Sequence, residues 1–85
     1  MGETKTWRQL EREAFANIFK ELLTKEDITQ TYFAELSGIS PHQVHSYLHG
    51  KYFPTPDNFN KIAEYFGYSF NELYDMMEDE IRRIK

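Results

Sequence analysis

Residues 28–51 form one uninterrupted stretch whose pattern predicts two short helices joined by a tight turn. Gly38 is predicted to close the first helix, because glycine adopts the left-handed conformation of a helix end at little cost. The second helix is predicted to begin behind Ser40, with Pro41 at its first position and Gln43 completing a capping box. This pair, spanning 29–50, constrains the chain to a helical fold.

Capping residues and apolar periodicity predict five helices in the whole chain. Each follows a serine or threonine that can cap a helix: Thr6, Thr29, Ser40, Thr55 and Ser69. The first helix is predicted from about Trp7 to Leu23, where a polar segment ends it, and the fifth from about 70 to 84. No strand pattern competes, so the predicted fold class is all-α, with residues 1–85 forming a single domain.

The composition further narrows the classes of protein to which the chain can belong. The chain has 85 residues, of which 40% are hydrophobic and 16% aromatic, enough for one core. It has no cysteine, which excludes disulfides and thiolate metal sites. No apolar run could cross a membrane, and the segment from Met1 to Lys5 lacks the apolar run of a signal peptide. We therefore expect a cytoplasmic protein with no membrane partner.

Apolar residues of the predicted helices need a surface to pack against. The first helix carries one apolar stripe, which begins at Trp7. The short helix after Thr29 is expected to bury Phe33, Ala34 and Tyr32. In the last helix four apolar residues recur at spacings of four, four and three: Leu73, Met77, Ile81 and Ile84. This second stripe predicts either a fold-back onto Trp7 and Leu10 that closes the core or, the alternative we favour, a homodimer seam.

The net charge of −4 weighs against a nucleic-acid partner, but its distribution weakens the objection. Residues 29–51 contain one acid, Glu35, and one base, Lys51, whereas residues 72–85 contain five acids and three bases. The segment 41–49 carries no acid and no lysine or arginine on its polar face. A face that is merely solvated normally carries such charges, so this face is predicted to contact a partner.

Taken in order, several small motifs resemble the phage Cro/repressor-type (XRE-like) helix-turn-helix family. The register holds without a gap from Ile28 to Leu73. The matching residues are Thr29-Gln30, Phe33-Ala34-Glu35, Gly38-Ile39-Ser40, Val44, Gly50-Lys51, Pro54, Ile62-Ala63, Phe66-Gly67, Ser69 and Glu72-Leu73. The resemblance implies a compact five-helix repressor-like domain that binds double-stranded operator DNA, usually as a homodimer, with the helix 41–49 in the major groove.

Positions carried over from this family give the expected DNA contacts. The resemblance implies base contacts by Pro41, His42, Gln43 and Ser46, with His45 as a further candidate. For the phosphates it implies Gln30 and Lys51, to which we add His49 and Tyr52. Two features depart from the usual pattern of the family: Pro41, and the absence of arginine and lysine from the predicted helix 41–49. The pairing of Gln43 with adenine is therefore the most base-specific contact available.

The alternatives to a DNA-binding function are a metal site, an enzyme and a protein-interaction module. His42, His45 and His49 share a helical face, but three ligands from one short helix seldom converge on one ion, so we expect no metal. No catalytic set or glycine-rich phosphate loop is present, so we expect neither an enzyme nor a cofactor or small-molecule ligand. The expected function is a sequence-specific transcriptional regulator, most simply a repressor. The rival is a protein-interaction module whose partner is an antirepressor, a toxin or a polymerase subunit.

Overall fold

In the computed structural model, residues 4–85 are described and form five helices. They are α1 (Trp7–Lys25), α2 (Gln30–Ser37), α3 (Pro41–Leu48), α4 (Pro56–Tyr65) and α5 (Phe70–Ile84). Every predicted N-cap is confirmed, since each serine or threonine side chain accepts a hydrogen bond from the backbone N–H three residues later. Met1–Glu3, where the segment compared with a signal peptide begins, lie outside the described residues. No helix within 4–85 is long and apolar enough to cross a membrane.

Local chemistry explains how α1 and α2 end. Helix α1 continues two residues beyond the predicted end at Leu23, and then Asp27 takes a positive φ of 57°. Aspartate tolerates this left-handed conformation better than most residues, so it can end a helix where glycine is absent. Gly38 takes the same role after α2, with φ of 77°, as predicted. The short turn at Gly38 brings α2 and α3 together.

The core is built around phenylalanine rings contributed by α1, α2 and α4. Phe15, Phe19, Phe33 and Phe59 are each at most 1% exposed. Phe15 contacts Phe59 across the helices, with ring centroids 5.6 Å apart, and Phe19 contacts Phe33 edge to face at 5.1 Å. Such offset and edge-to-face pairs add to the free energy of burial. Helix α1 is therefore the central element, packing against both α3 and α5.

The stripe on α5 closes this core and is not free to form a dimer seam. Leu73 and Met77 are fully buried within the single chain, Ile81 is 2% exposed, and Ile84 packs against the core cluster at its edge. The expectation of a homodimer seam along this stripe is wrong. The reason is that α5 folds back along α1, and the apolar face that looks unpartnered in the sequence is covered by the chain itself.

Two aromatic residues expected to face inward lie at the surface. Trp7 is 49% exposed at the first turn of α1, and Tyr32 is 53% exposed on α2. Helical spacing places both next to buried residues, but neither is covered by a neighbouring helix. By contrast Phe53, in the loop after α3, is half-buried and contacts Phe15 with ring centroids 5.7 Å apart. That loop is thereby anchored to the core.

Candidate nucleic-acid interface

The outer face of α3 is a polar surface accessible to a partner. Its first three residues, Pro41, His42 and Gln43, are exposed, and so is His45 one turn later. Val44, Tyr47 and Leu48 point into the core, as predicted. The helix ends at Leu48 and His49 is its exposed C-cap, so the element is one residue shorter than the segment 41–49. The inward face holds the helix in place while the outward face stays available.

Gln43 is held in position by the helix cap. The hydroxyl of Ser40 accepts a hydrogen bond from the Gln43 backbone N–H at 3.2 Å and donates one to Oε1 of the Gln43 side chain, also at 3.2 Å. The predicted capping box is therefore altered, because the side chain bonds to the hydroxyl of Ser40 and not to its backbone N–H. The carbonyl oxygen has a second lone pair and the amide nitrogen has two donors, so the bidentate pattern that adenine requires stays available.

Ser46 does not belong with the exposed residues of α3. It is 3% exposed, so its expected contact with a base edge is corrected: the hydroxyl offers almost no surface. It lines a depression of about 350 Å³ together with Gln43 and with Tyr52 and Phe53 from the following loop. Helical spacing alone could not reveal this, because the residues beside Ser46 come from a loop that returns along the helix.

A row of polar side chains runs from the start of α2 along one side of α3. Nε2 of Gln30 lies 3.4 Å from Nδ1 of His45, and the His45 ring stacks on His49 with centroids 4.0 Å apart. Nδ1 of His49 donates to the backbone carbonyl of His45 at 2.9 Å, which leaves its Nε2 for a partner. Gln30 is also the first residue of α2, where backbone N–H groups lack helical partners and attract anions.

The electrostatics of this row centre on His45. The positive charge of His49 lowers the pKa of His45 below its ordinary value of 6.5, and lost hydration and the charges of Lys51 and His42 lower it further. His45 is thus mainly neutral near pH 7 and becomes a cation in more acidic solution.

The far end of α3 carries the two remaining phosphate candidates. Gly50 ends the helix with φ of 69°, and the Lys51 backbone N–H donates to the Ser46 carbonyl at 3.0 Å. The Lys51 side chain is exposed and the Tyr52 side chain is 64% exposed. Both therefore extend from a defined turn next to α3 and stay accessible to an anionic partner.

One positioning contact was not foreseen from the sequence. Nδ2 of Asn58, in the first turn of α4, donates to the hydroxyl of Tyr47 at 2.9 Å. It ties α3 to α4 beneath the outer face. Asn58 stands three residues after the Thr55 cap, a position that indicates the start of a helix but does not identify a partner on another helix.

The comparisons agree with the geometry of α2 and α3. A family model described as a helix-turn-helix domain matches residues 16–76, well over half of the chain. Searches of curated proteins and of solved structures give no match. The matched range includes the complete α2–turn–α3 unit and leaves the first half of α1 and the end of α5 outside it. The chain therefore belongs to the helix-turn-helix domain family, of the XRE type.

Proposed function

We propose that this protein is a sequence-specific DNA-binding regulator that reads the major groove with the outer face of α3. In this proposal Gln43 and His42 contact base edges, while Pro41 offers an apolar contact and His45 lies beside them. Gln30, His49, Lys51 and Tyr52 contact phosphates on either side. The observation that carries the proposal is an exposed helix face with no carboxylate, lysine or arginine, whose central amide, Gln43, is already oriented by Ser40. Repression by occupying a promoter is the simplest output.

Gln43→Ala is expected to weaken binding to the preferred duplex by about 1–3 kcal/mol and to relax the choice at one base pair. The alanine removes both the donor and the acceptor that a bidentate contact with adenine uses. The preferred duplex would first be selected from a random pool at low salt. Affinities for it and for its single-base variants would then be measured by fluorescence anisotropy.

Ser46→Ala is the matched control for this experiment, since Ser46 lies one turn along the same helix but is buried. It should leave the base preference unchanged. Equal loss of affinity for all duplexes in Gln43→Ala would contradict base reading by Gln43, and failure to select any preferred duplex would contradict the regulator proposal.

A protein-interaction module is the second candidate function. Tyr32 and Leu36 are 53% and 51% exposed and lie one turn apart on α2, and the chain has a net charge of −4. Salt separates the two candidates. A DNA complex should weaken steeply between about 50 and 200 mM salt, with a slope of about −0.9 per phosphate contact. An apolar protein contact should respond little over the same range.

A pH dependence is also expected for the DNA complex. Phosphate favours the protonated form of a nearby histidine, so binding takes up protons and the affinity rises as pH falls. Because the pKa of His45 in the free protein is lowered from 6.5, its share of this gain should begin when the pH falls through the raised pKa of the bound ring and should be complete only below pH 6.5. Titrations between about pH 7.5 and 5.5 should show tighter binding at the acidic end, and His45→Gln should reduce this gain. Equal affinities across this range with unchanged circular dichroism would contradict a contact between His45 and the DNA.

We further propose that two copies bind one site, which would double the small phosphate footprint of an acidic chain. The α5 stripe is buried in each chain, so this pairing would use another surface. An inverted repeat among the selected duplexes, with half-sites about one DNA turn apart, is the expected result. A single unrepeated half-site would contradict it.

A further inference from the structure

A second feature of the surface lies next to the proposed interface, between α1 and the end of α3. A groove of about 370 Å³ is lined there by Lys5, Arg12, Glu13, Asn17, Lys20 and His49, among others. We call it the α1 groove. The two helices approach closely at its base, since a Cβ placed on Gly50 would lie 3.8 Å from the carbonyl oxygen of Arg12. Arg12 precedes the matched family range 16–76, so this part of the groove lies outside the shared unit.

The α1 groove is positively charged in an otherwise acidic chain. Its one carboxylate, Glu13, forms an ion pair with Lys5, so these two charges offset each other. Within residues 4–85, Arg12 and Lys20 form no ion pair with a carboxylate. They are eight residues apart, two turns of one helix, and therefore lie on the same side of α1. Two unneutralised cations flank an open groove, which favours an anion.

The groove is continuous with the polar row that begins at Gln30. That row passes from Gln30 to His45 at 3.4 Å and from His45 to His49 at 4.0 Å between ring centroids, and His49 itself lines the groove. Each strand of double-stranded DNA carries one negative charge per about 3.4 Å of the helix axis, so a row of contacts along one strand meets several phosphates. The next anion along this row would face Arg12 and Lys20.

We propose that the α1 groove binds a phosphate of the DNA backbone beyond the base pairs that α3 reads, with Arg12 and Lys20 as its ligands. This inference rests on the proposed function. It assigns to α1 a role in affinity but not in base selection, because contacts to phosphates hold the register and carry no base information.

Charge removal at the groove tests the proposal. Arg12→Gln and Lys20→Gln are each expected to weaken binding about five- to tenfold at 0.1 M salt, equally for all duplexes, and to reduce the salt slope by about 0.9. Arg12→Lys keeps the charge and should retain the wild-type slope. Lys61→Gln, the same loss of charge on α4, is the matched control and should leave the slope unchanged. Because Lys20 is exposed, its variant is expected to fold even if Arg12→Gln does not.

A duplex in which single flanking phosphates are replaced by neutral methylphosphonates identifies the partner atom. One replacement should weaken wild-type binding and have little further effect on Lys20→Gln, since both changes remove the same contact. If the wild-type protein selects a duplex through Gln43 but the groove variants keep its salt slope, the inference is wrong and the proposed function stands. If the wild-type protein selects no duplex, both are wrong.

Discussion

Phe15→Ala is expected to lower the free energy of unfolding by about 3–5 kcal/mol, the largest effect of any substitution considered. Phe15 is 1% exposed, and its ring centroid lies within 6.4 Å of four other aromatic rings. These rings belong to α1, α3, α4 and the loop after α3. Removing Phe15 would leave a cavity where these elements meet. The total free energy of unfolding of native proteins is about 5–15 kcal/mol, so the variant would retain only a small part of its stability.

Urea unfolding followed by circular dichroism at helical wavelengths measures this loss. Trp7→Ala is the aromatic control from the same helix, because Trp7 is 49% exposed and its loss should cost far less. An equal cost for both substitutions would contradict the assignment of Phe15 to the core. Since Phe15 contacts Tyr47 of α3 and Phe53 of the next loop, the same variant should also disturb the outer face of α3.

Met77→Ala is the second large expected effect, a loss of about 2–5 kcal/mol in the free energy of unfolding. Met77 is fully buried where α5 packs on α1. Because this packing lies within one chain, the unfolding midpoint of both wild type and variant should not depend on protein concentration. A seam between two chains would make the midpoint rise with concentration, since association stabilises the folded state by mass action.

Met76→Ala is the control on the same helix, since Met76 is only partly buried and should cost less than Met77. A midpoint that rises with concentration and loses this dependence in Met77→Ala would contradict the packing of Met77 within one chain. A concentration-independent midpoint together with an inverted-repeat binding site would show that two copies come together on the DNA and not as a stable dimer in solution.

The helix ends were predictable because each depends on atoms close together in the sequence. A threonine such as Thr29 caps its own helix through a hydrogen bond to the N–H three residues later, and Gly38 ends the same helix through its own backbone conformation. The outer face of α3 was predictable for a similar reason. Its alternation of Val44 and Leu48 with polar residues follows the period of a single helix.

The errors share a different physical cause, which is the position of a distant segment. Ser46 has the spacing of an outer residue, but it lines a depression together with Tyr52 and Phe53. Met77 has the spacing of an unpartnered stripe, but α1 covers it. Tyr32 has the spacing of an inner residue, but no helix covers it. In each case the local pattern predicts on which side of its helix the residue lies, but it does not predict which other segment, if any, covers that side.

The amino-acid sequence by itself determined the five helices, their caps and the helix-turn-helix register, because these follow from interactions spanning three or four residues. Only the tertiary structure decided which faces are covered and which side chains meet across the fold. It joined Gln30 to His45, set Asn58 under Tyr47, and brought Arg12 and Lys20 beside His49. Such contacts depend on how whole helices pack around the shared core of phenylalanine rings, and no local pattern encodes the position of one helix relative to another.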